Sequence, residues 1–296
     1  MNKENFDFSK ASKTNPENTF LNLQSFLFVT SKQLTKFFFY VKVSPHLVIF
    51  LSLLFGIAGS YLMIKESMIV SIAGSMLLFY KNVLDKVDGS LARAKNLDSR
   101  RGRFYDSISD FIVSFCTFFF IGYYLFKQNG EVWSIVLSFL GLIFSMIQCS
   151  YFIFYQVSFI KASGKETINR LDESVKEEDK AGDKFTLFLQ RIFLLIYGWQ
   201  DKLIIRFDKF LCRNLIRQLT EKNIDEQTIR KTWYENKTFL TMASSLSIGT
   251  HIFLICTFSV IKEYKVYLFI NLIFMNLLVI LFSINHYIST KRKLSA

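Results

Sequence analysis

The apolar residues of this chain are concentrated in six long runs, which are separated by short polar connections and one long polar insertion. Each run approaches or exceeds the roughly 20 apolar residues that an α-helix needs to cross the hydrocarbon core of a bilayer. The pattern therefore predicts an all-α, polytopic membrane protein with six transmembrane helices. The predicted spans are residues 47–64, 67–84, 104–126, 132–160, 239–261 and 266–288.

The chain before the first span combines a polar tail with one amphipathic stretch. Residues 1–19 are polar and predict a flexible cytoplasmic tail. Residues 20–40 place several Phe beside Lys32 and Lys36, which suits an amphipathic helix lying in the membrane interface better than a helix crossing it.

The first span has a marked start. Ser44 and Pro45 are typical of the first turn of a helix, because proline is tolerated there. We therefore expect residues 1–43 to form the tail and interfacial helix, and residues 44–296 to form one membrane domain with a cytoplasmic insertion at 161–237.

Composition and charge agree with this architecture. The 296 residues are 51% hydrophobic and include 34 Phe but only 2 Pro. Three short connections, residues 65–66, 127–131 and 262–265, hold four of the 36 Lys and Arg, so the positive-inside rule places both termini in the cytoplasm. The net charge of +12 suits an anionic membrane surface, whereas six spans argue against a nucleic-acid partner. We expect a bacterial inner membrane protein.

The segment 85–110 departs from the apolar pattern, because it carries four carboxylates at helical spacings. Asp85 and Asp88 lie three residues apart and Asp106 and Asp110 lie four apart, so each pair occupies one face of a helix. Acidic side chains beside hydrocarbon are costly, and they repel one another unless cations lie among them. Oxygen ligands without Cys or His favour magnesium or manganese over zinc. The two faces therefore predict bound divalent metal.

Three further residues in this segment indicate the ligand. Gly89 and Gly102 each lie one helical turn from an Asp on the same face, where the missing side chain lets a bulky ligand approach. Arg93 lies two turns from Asp85 and could hold a phosphate through a bidentate contact. Metal, arginine and open space together indicate pyrophosphate chemistry. A solvated, salt-bridged loop is the alternative, but it does not explain the glycines.

These residues carry a family resemblance. Together with Ala92 they fill all eight fixed positions of the CDP-alcohol phosphotransferase (CDP-alcohol phosphatidyltransferase) signature, including its eight-residue gap before the second glycine. The chain therefore resembles that family, best over its first four spans. The eight positions are Asp85, Asp88, Gly89, Ala92, Arg93, Gly102, Asp106 and Asp110.

The resemblance implies a six-helix membrane fold, often homodimeric, that transfers a phosphatidyl (phosphoalcohol) group from a CDP-alcohol to a hydroxyl acceptor and releases CMP. The implied donor is CDP-diacylglycerol, and the implied pathway is phospholipid biosynthesis. Two Mg²⁺ or Mn²⁺ ions are implied, with Asp85, Asp88 and Asp106 as metal ligands. Asp110 would bind the second ion and also act as the catalytic base that takes the acceptor proton. The residues implied to line the CDP site are Gly89, Ala92, Arg93 and Gly102.

Two features bear on the substrates. His46 follows Ser44 and Pro45 where many members have Thr-Pro-Asn, which is a departure at a position where a nucleotide contact is expected. The signature does not specify the acceptor, because the metals and the base act on the phosphoryl centre that all acceptors share. The cations that the sequence offers to a charged acceptor are Arg101, Arg103, Lys161 and Lys165.

The insertion at 161–237 is not part of the resemblance to the common core. It begins polar and acidic and becomes amphipathic over residues 185–219. The amphipathic part is too highly charged for a further span, so a helix at the membrane interface fits it. A lid or acceptor-binding arm over the active site is the other interpretation, and the sequence leaves both open.

Two other classes of function stand as alternatives. An ion or solute transporter would also bury carboxylates, but it should show paired repeats or discontinuous helices, and the later spans hold no second acidic cluster. A non-catalytic membrane scaffold would keep the fold and lose metal ligands, yet all eight signature positions are present. The sequence therefore favours the enzyme.

Overall fold

The computed structural model describes residues 6–11, 27–164, 168–221 and 223–295. It is 84% helical and has no strand in these ranges, which confirms the predicted all-α fold. The helices before the insertion are α1 (Phe8–Ala11), α2 (Leu27–Tyr40), α3 (Pro45–Leu62), α4 (Met68–Ala94), α5 (Arg100–Asn129) and α6 (Trp133–Ala162). Those in and after it are α7 (Glu177–Lys180), α8 (Lys184–Thr220), α9 (Glu226–Tyr234), α10 (Lys237–Ala243), α11 (Ile248–Val260), α12 (Tyr264–Phe269) and α13 (Asn276–Ser295).

Six helical stretches within the described ranges are long and apolar enough to cross a membrane, as the sequence predicts. The helices α3, α4, α5 and α6 each form one stretch, α10 with α11 forms the fifth, and α12 with α13 forms the sixth. Large apolar side chains such as Ile69, Phe119 and Ile273 are exposed on their outer surface. Lipid chains are the solvent that suits such a surface, so the protein is an integral membrane protein.

The helices α4 and α5 are longer than the predicted second and third spans. The predicted second span stops at residue 84, whereas α4 continues through Asp85 and Asp88 to Ala94. The predicted third span already includes Asp106 and Asp110, and α5 begins earlier, at Arg100, so only residues 95–99 remain as a connection. Ser99 caps the start of α5, because its Oγ accepts a hydrogen bond from the Gly102 backbone N–H at 3.2 Å. The acidic segment is therefore helical on both sides of a short turn.

Two glycines allow a close approach between α3 and α4. A Cβ added to Gly74 would lie 2.3 Å from the backbone nitrogen of Met63, and one added to Gly59 would lie 2.6 Å from that of Leu78. Both contacts are with backbone, which has no rotamer to move away. Small residues at such crossings let membrane helices pack closely.

The two ends of the helix bundle are formed by different parts of the chain. At one end Lys262 Nζ and the Tyr264 hydroxyl both donate to the Met63 carbonyl, at 3.0 and 2.7 Å, so the short connections after α3 and α11 meet there. Because successive spans alternate in direction, the acidic residues of α4 and α5 lie at the opposite end. Arg100 at the start of α5 pairs with Glu173 at 2.8 Å, so the insertion shares the acidic end.

A π-helical segment, Ile270–Met275, lies between α12 and α13 and was not predicted. The Asn271 side chain donates to the Gly141 carbonyl of α6 at 2.8 Å, and Gln148 donates to the Asn271 carbonyl at 3.0 Å. Side chains from a neighbouring helix can supply partners where a wide turn disturbs the regular backbone ladder. The segment therefore ties the sixth span to α6.

The N-terminal segment is more closely packed than its composition suggests. Ala11 is buried, and its carbonyl accepts a hydrogen bond from Arg93 Nε at 3.0 Å, so α1 lies against α4. The predicted flexible tail is therefore incorrect for residues 6–11, while residues 1–5 and 12–19 lie outside the described residues. The helix α2 turns Thr35 inward and keeps Lys32 exposed, the pattern of the predicted interfacial helix.

The amphipathic part of the insertion is one continuous helix, α8, of 37 residues. At 1.5 Å per residue it is about 55 Å long. Its inner face packs against α5 through Phe193 and against α6 and α9 through Leu215, whereas Leu195 and Phe210 on its outer face are exposed. It is not one of the stretches that could span the membrane. An exposed apolar face on such a helix agrees with the predicted position at the membrane interface.

We expect Gly74→Ala to destabilise the protein, because the added methyl group requires α3 and α4 to separate. Overpacking of this kind costs about 1–3 kcal/mol. The midpoint of thermal unfolding in detergent should fall, while Gly182→Ala, whose Cβ would meet its nearest atom at an ordinary 3.5 Å, should leave it unchanged. Equal midpoints for the two variants would contradict the close approach.

Candidate active site

Two helices, α4 and α5, bring three of the predicted metal ligands together. Asp85 and Asp88 project from α4 and Asp106 from α5, and one oxygen of each lies within 4.8 Å of the other two. The spacing of three residues along α4 directs the first pair to one side, and α5 runs back along that side after the turn. Carboxylates 21 residues apart in the chain thus form one cluster.

The cluster has the oxygen ligands that a hard cation prefers, and its negative charge favours the binding of a cation. Asp88 is 4% exposed, and its Oδ2 has no hydrogen-bond partner among the described residues. A buried carboxylate oxygen without a partner is costly, and three carboxylates this close repel one another. Magnesium and manganese prefer such oxygen ligands. The residues therefore fit a divalent metal ion.

The fourth carboxylate, Asp110, lies beside this cluster and pairs with Lys81. Lys81 is 2% exposed, and its ammonium forms ion pairs with Asp110 and, at 3.5 Å, with Asp85. Lys81 thus links the fourth carboxylate to the first. Sequence analysis did not single out Lys81, although its position four residues before Asp85 places it on the same helix face.

All eight signature residues line one cavity of about 910 Å³, which is large enough for a substantial ligand. A Cβ added to Gly89 would meet only the Arg93 guanidinium at 3.3 Å, and one added to Gly102 would meet only the Ser99 hydroxyl at 3.4 Å. Neither glycine touches the backbone of another helix, unlike Gly59 of the bundle. Their missing side chains therefore enlarge the cavity instead of allowing helices to pack.

Arg93 and His46 lie on the same cavity wall. The Arg93 guanidinium is held by the Ala11 carbonyl and, at 3.4 Å, by the Ser90 hydroxyl, which leaves further N–H groups for a ligand. His46 is exposed at the start of α3, with its ring 6.4 Å from that of Tyr105. The departure from the family pattern at His46 is thus within reach of a ligand in the cavity.

Comparison with known protein families decides the assignment. The model of the CDP-alcohol phosphatidyltransferase family matches residues 42–212, more than half of the chain. The chain belongs to this family. Neither the curated proteins nor the solved structures include a significant match. Family membership identifies a transferase class that acts on CDP-alcohols, and it accounts for the signature residues around one membrane-end cavity.

The matched range of this phosphatidyltransferase ends inside α8, so it extends beyond the fourth span and into the insertion. The strap, defined as residues 168–183, precedes α8 and lies at the acidic end. Glu173 of the strap is 2% exposed and pairs with both Arg100 and Arg103 of α5. Burial acts to raise the pKa of Glu173, but the charge of Arg103 and hydrogen bonds outweigh it and hold the pKa below its usual value.

A second group of ion pairs closes the strap on itself. Arg170 pairs with Asp179 at 2.9 Å and with Glu178 at 2.6 Å, and Asp179 also pairs with Arg100. Gln190 of α8 donates to the Glu173 carbonyl at 2.9 Å. The strap is thereby fastened both to the start of α5 and to α8.

The insertion helix forms part of the cavity wall. Phe193, Tyr197 and Asp201 of α8 line the cavity, and the Tyr197 hydroxyl donates to the Ser107 carbonyl of α5 at 2.9 Å. The sequence left an interfacial helix and an active-site arm as alternatives, and α8 combines features of both. No local pattern marks these three side chains as site residues, because their role depends on which face α8 turns toward α5.

The cations proposed for a charged acceptor are placed differently from one another. Arg103 lines the cavity but is paired with Glu173. Arg101 is exposed, with its guanidinium 4.6 Å from the Phe185 ring centroid, and neither it nor the exposed Lys161 lines the cavity. Lys165 lies outside the described residues.

We expect Asp85 and Asp106 to touch both metal ions and Asp88 only one. Asp85→Asn and Asp106→Asn should therefore weaken magnesium binding by more than about tenfold, and Asp88→Asn should weaken it less. Isothermal calorimetry on the purified variants measures this. Asp98→Asn, an exposed acid of the same cavity outside the signature, should bind metal like the wild type. Identical titrations for wild type and Asp85→Asn would rule out the metal site.

Proposed function

We propose that the protein transfers a phosphatidyl group from CDP-diacylglycerol to the hydroxyl of a small acceptor and releases CMP, as a step of phospholipid biosynthesis. The observation that carries this proposal is that all eight signature residues line one cavity at the end of two membrane-spanning helices. An ion or solute transporter is disfavoured by family membership, and a non-catalytic scaffold is disfavoured by the complete signature.

The cavity walls suit a donor with a polar nucleotide and a lipid anchor. Gly89, Ala92, Arg93 and Gly102 would line the CDP moiety, with the Arg93 guanidinium donating to a phosphate. Ile49, Ile153 and Ile160 add apolar lining on α3 and α6. Such lining favours a donor whose acyl chains lie in the bilayer, and CDP-diacylglycerol has this chemistry.

Asp85, Asp88 and Asp106 would hold one divalent ion, and Asp110 with its neighbours would hold a second. Two Mg²⁺ or Mn²⁺ ions, when bound, neutralise the pyrophosphate and stabilise the leaving CMP. The buried, partner-free oxygen of Asp88 supports a metal at the first position. The number and identity of the ions are part of the proposal.

Asp110 would act as the general base. The acceptor oxygen forms a bond to the phosphorus of the phosphatidyl group, the bond from that phosphorus to the CMP oxygen breaks, and the acceptor proton passes to the Asp110 carboxylate. Lys81 would hold that carboxylate in position through its ion pair. Positioning by a buried partner keeps a base oriented toward an incoming hydroxyl.

We further propose that the acidic end, both chain ends and the insertion face the cytoplasm of a bacterial inner membrane, on the grounds of the charge asymmetry. The homodimer that the resemblance implies stays a prediction.

We expect Asp110→Asn to retain CDP-diacylglycerol binding and to lower turnover by at least about 100-fold, the usual loss when acid–base catalysis is removed. Metal-dependent CMP release with purified protein, CDP-diacylglycerol and a panel of alcohols measures this. Asp98→Asn is the matched control, with the same change at an exposed acid of the cavity. Near wild-type turnover of a folded, metal-bound Asp110→Asn would exclude this base.

The orientation can be checked with single cysteines at the two ends. Ala181→Cys lies in the exposed strap and Glu131→Cys lies at the exposed connection of the opposite end. An impermeant thiol reagent should label Glu131→Cys in intact cells and Ala181→Cys only after the membrane is opened. Labelling of Ala181→Cys alone in intact cells would reverse the assigned orientation.

A further inference from the structure

On the insertion side of the cavity, the positively and negatively charged side chains are not paired equally. Two arginines line the cavity there, and both already have acidic partners: Arg103 pairs with Glu173, and Arg170 pairs with Asp179 and Glu178. A guanidinium that is paired to a buried carboxylate has fewer free donors and little net charge to offer a ligand. This wall is therefore poor in available positive charge.

Asp201 differs from these arginines in its ion pairing. It lies on α8 one helical turn beyond Tyr197 and lines the same cavity. In the part of the chain that the structure describes, no Lys, Arg or His nitrogen forms an ion pair with its carboxylate within 4.0 Å. Burial raises the pKa of Asp201 to about 7, against the opposing charge of Arg103.

Aromatic rings line the same cavity as this carboxylate. Tyr197 lies with its ring centroid 4.9 Å from that of Phe193 and 6.5 Å from that of Phe111, and all three rings line the cavity. The faces of aromatic rings attract ammonium groups, and quaternary ammonium ligands are commonly bound in this way. An acid beside such rings is the chemistry of a site for an organic cation.

The wall is also placed next to the candidate base. Tyr197 is anchored to the carbonyl of Ser107, which lies three residues before Asp110 on α5. A small molecule held against Tyr197 and Asp201 would thus lie on the base side of the cavity, whereas Arg93 and Gly89 lie on the α4 side. The acceptor, not the nucleotide, belongs on the base side.

We propose that Asp201, with the ring of Tyr197, binds the cationic group of the acceptor, so that the acceptor is an amino alcohol bearing an ammonium and not a phosphate-bearing alcohol. This inference rests on the proposed phosphatidyl transfer and names its acceptor class. The ammonium takes no part in the bond changes: the hydroxyl oxygen of the acceptor replaces the CMP oxygen on phosphorus, and the proton passes to Asp110. Asp201 determines specificity and does not touch the reacting atoms.

The test is an acceptor series with the purified full-length protein, CDP-diacylglycerol in mixed micelles and magnesium, read as CMP release. The acceptors are choline and ethanolamine as cations, glycerol as a neutral alcohol, and glycerol 3-phosphate as an anion. For the wild type, kcat/KM for a cationic alcohol should exceed that for glycerol 3-phosphate by about tenfold or more. This ratio corresponds to the contribution of one charge-assisted hydrogen bond to binding.

Asp201→Asn should raise KM for the cationic acceptors by about tenfold or more while leaving kcat and the glycerol reaction unchanged. The matched control is Asp172→Asn, which removes a charge that influences Asp201 from an exposed strap position that does not line the cavity. It should behave like the wild type. A wild type that prefers glycerol 3-phosphate, or an Asp201→Asn variant that slows every acceptor equally, would overturn the inference.

A failure of the underlying reaction would look different. If no acceptor elicits metal-dependent CMP release, calorimetric titration of choline into the wild type and Asp201→Asn tests cation binding independently of the reaction. Binding that is lost in the variant would support the cation site while the proposed function fails. Equal or absent binding in both proteins would overturn the cation site itself.

Discussion

The carboxylates at the end of two membrane helices repel one another, and the rest of the structure must compensate for this repulsion. Oxygens of Asp85, Asp88 and Asp106 lie within 4.8 Å of one another, and Asp88 is almost completely buried. Charges at such distances interact strongly where water is scarce. The helices α4 and α5 must therefore be held together by contacts elsewhere, and the close packing of α3 on α4 at Gly59 and Gly74 fixes α4 toward the opposite end of the bundle.

Two separate sets of cations balance the acids at this end of the molecule. Lys81 belongs to the first, because it joins Asp85 and Asp110 from within the buried face of α4. The arginines of α5 and the strap belong to the second, and they are balanced by Glu173 and Asp179. The result is an excess of negative charge at the signature residues, where a divalent metal fits, and near neutrality where the strap meets α5.

Local patterns were sufficient to predict much of this arrangement. The lengths of the apolar runs predicted the six spans, and intervals of three and four residues predicted which acids share a helix face. Contacts between distant residues left no such pattern. The pairing of Lys81 with Asp110 joins residues 29 apart, and that of Arg93 with the Ala11 carbonyl joins residues 82 apart. The π-helical segment likewise depends on Gln148 in another helix.

The insertion adds charged side chains to the cavity from outside the signature residues. Arg103 lies on α5 three residues before Asp106, so its charge would act directly on any acceptor approaching the cluster. Glu173, 70 residues further along the chain, pairs with that guanidinium, and Asp201 of α8 adds a carboxylate to the same wall. Both acids come from outside the signature. In the proposed reaction the signature residues would supply the chemistry common to the family, and the charge that an acceptor meets would be set by a segment that shares no local pattern with them.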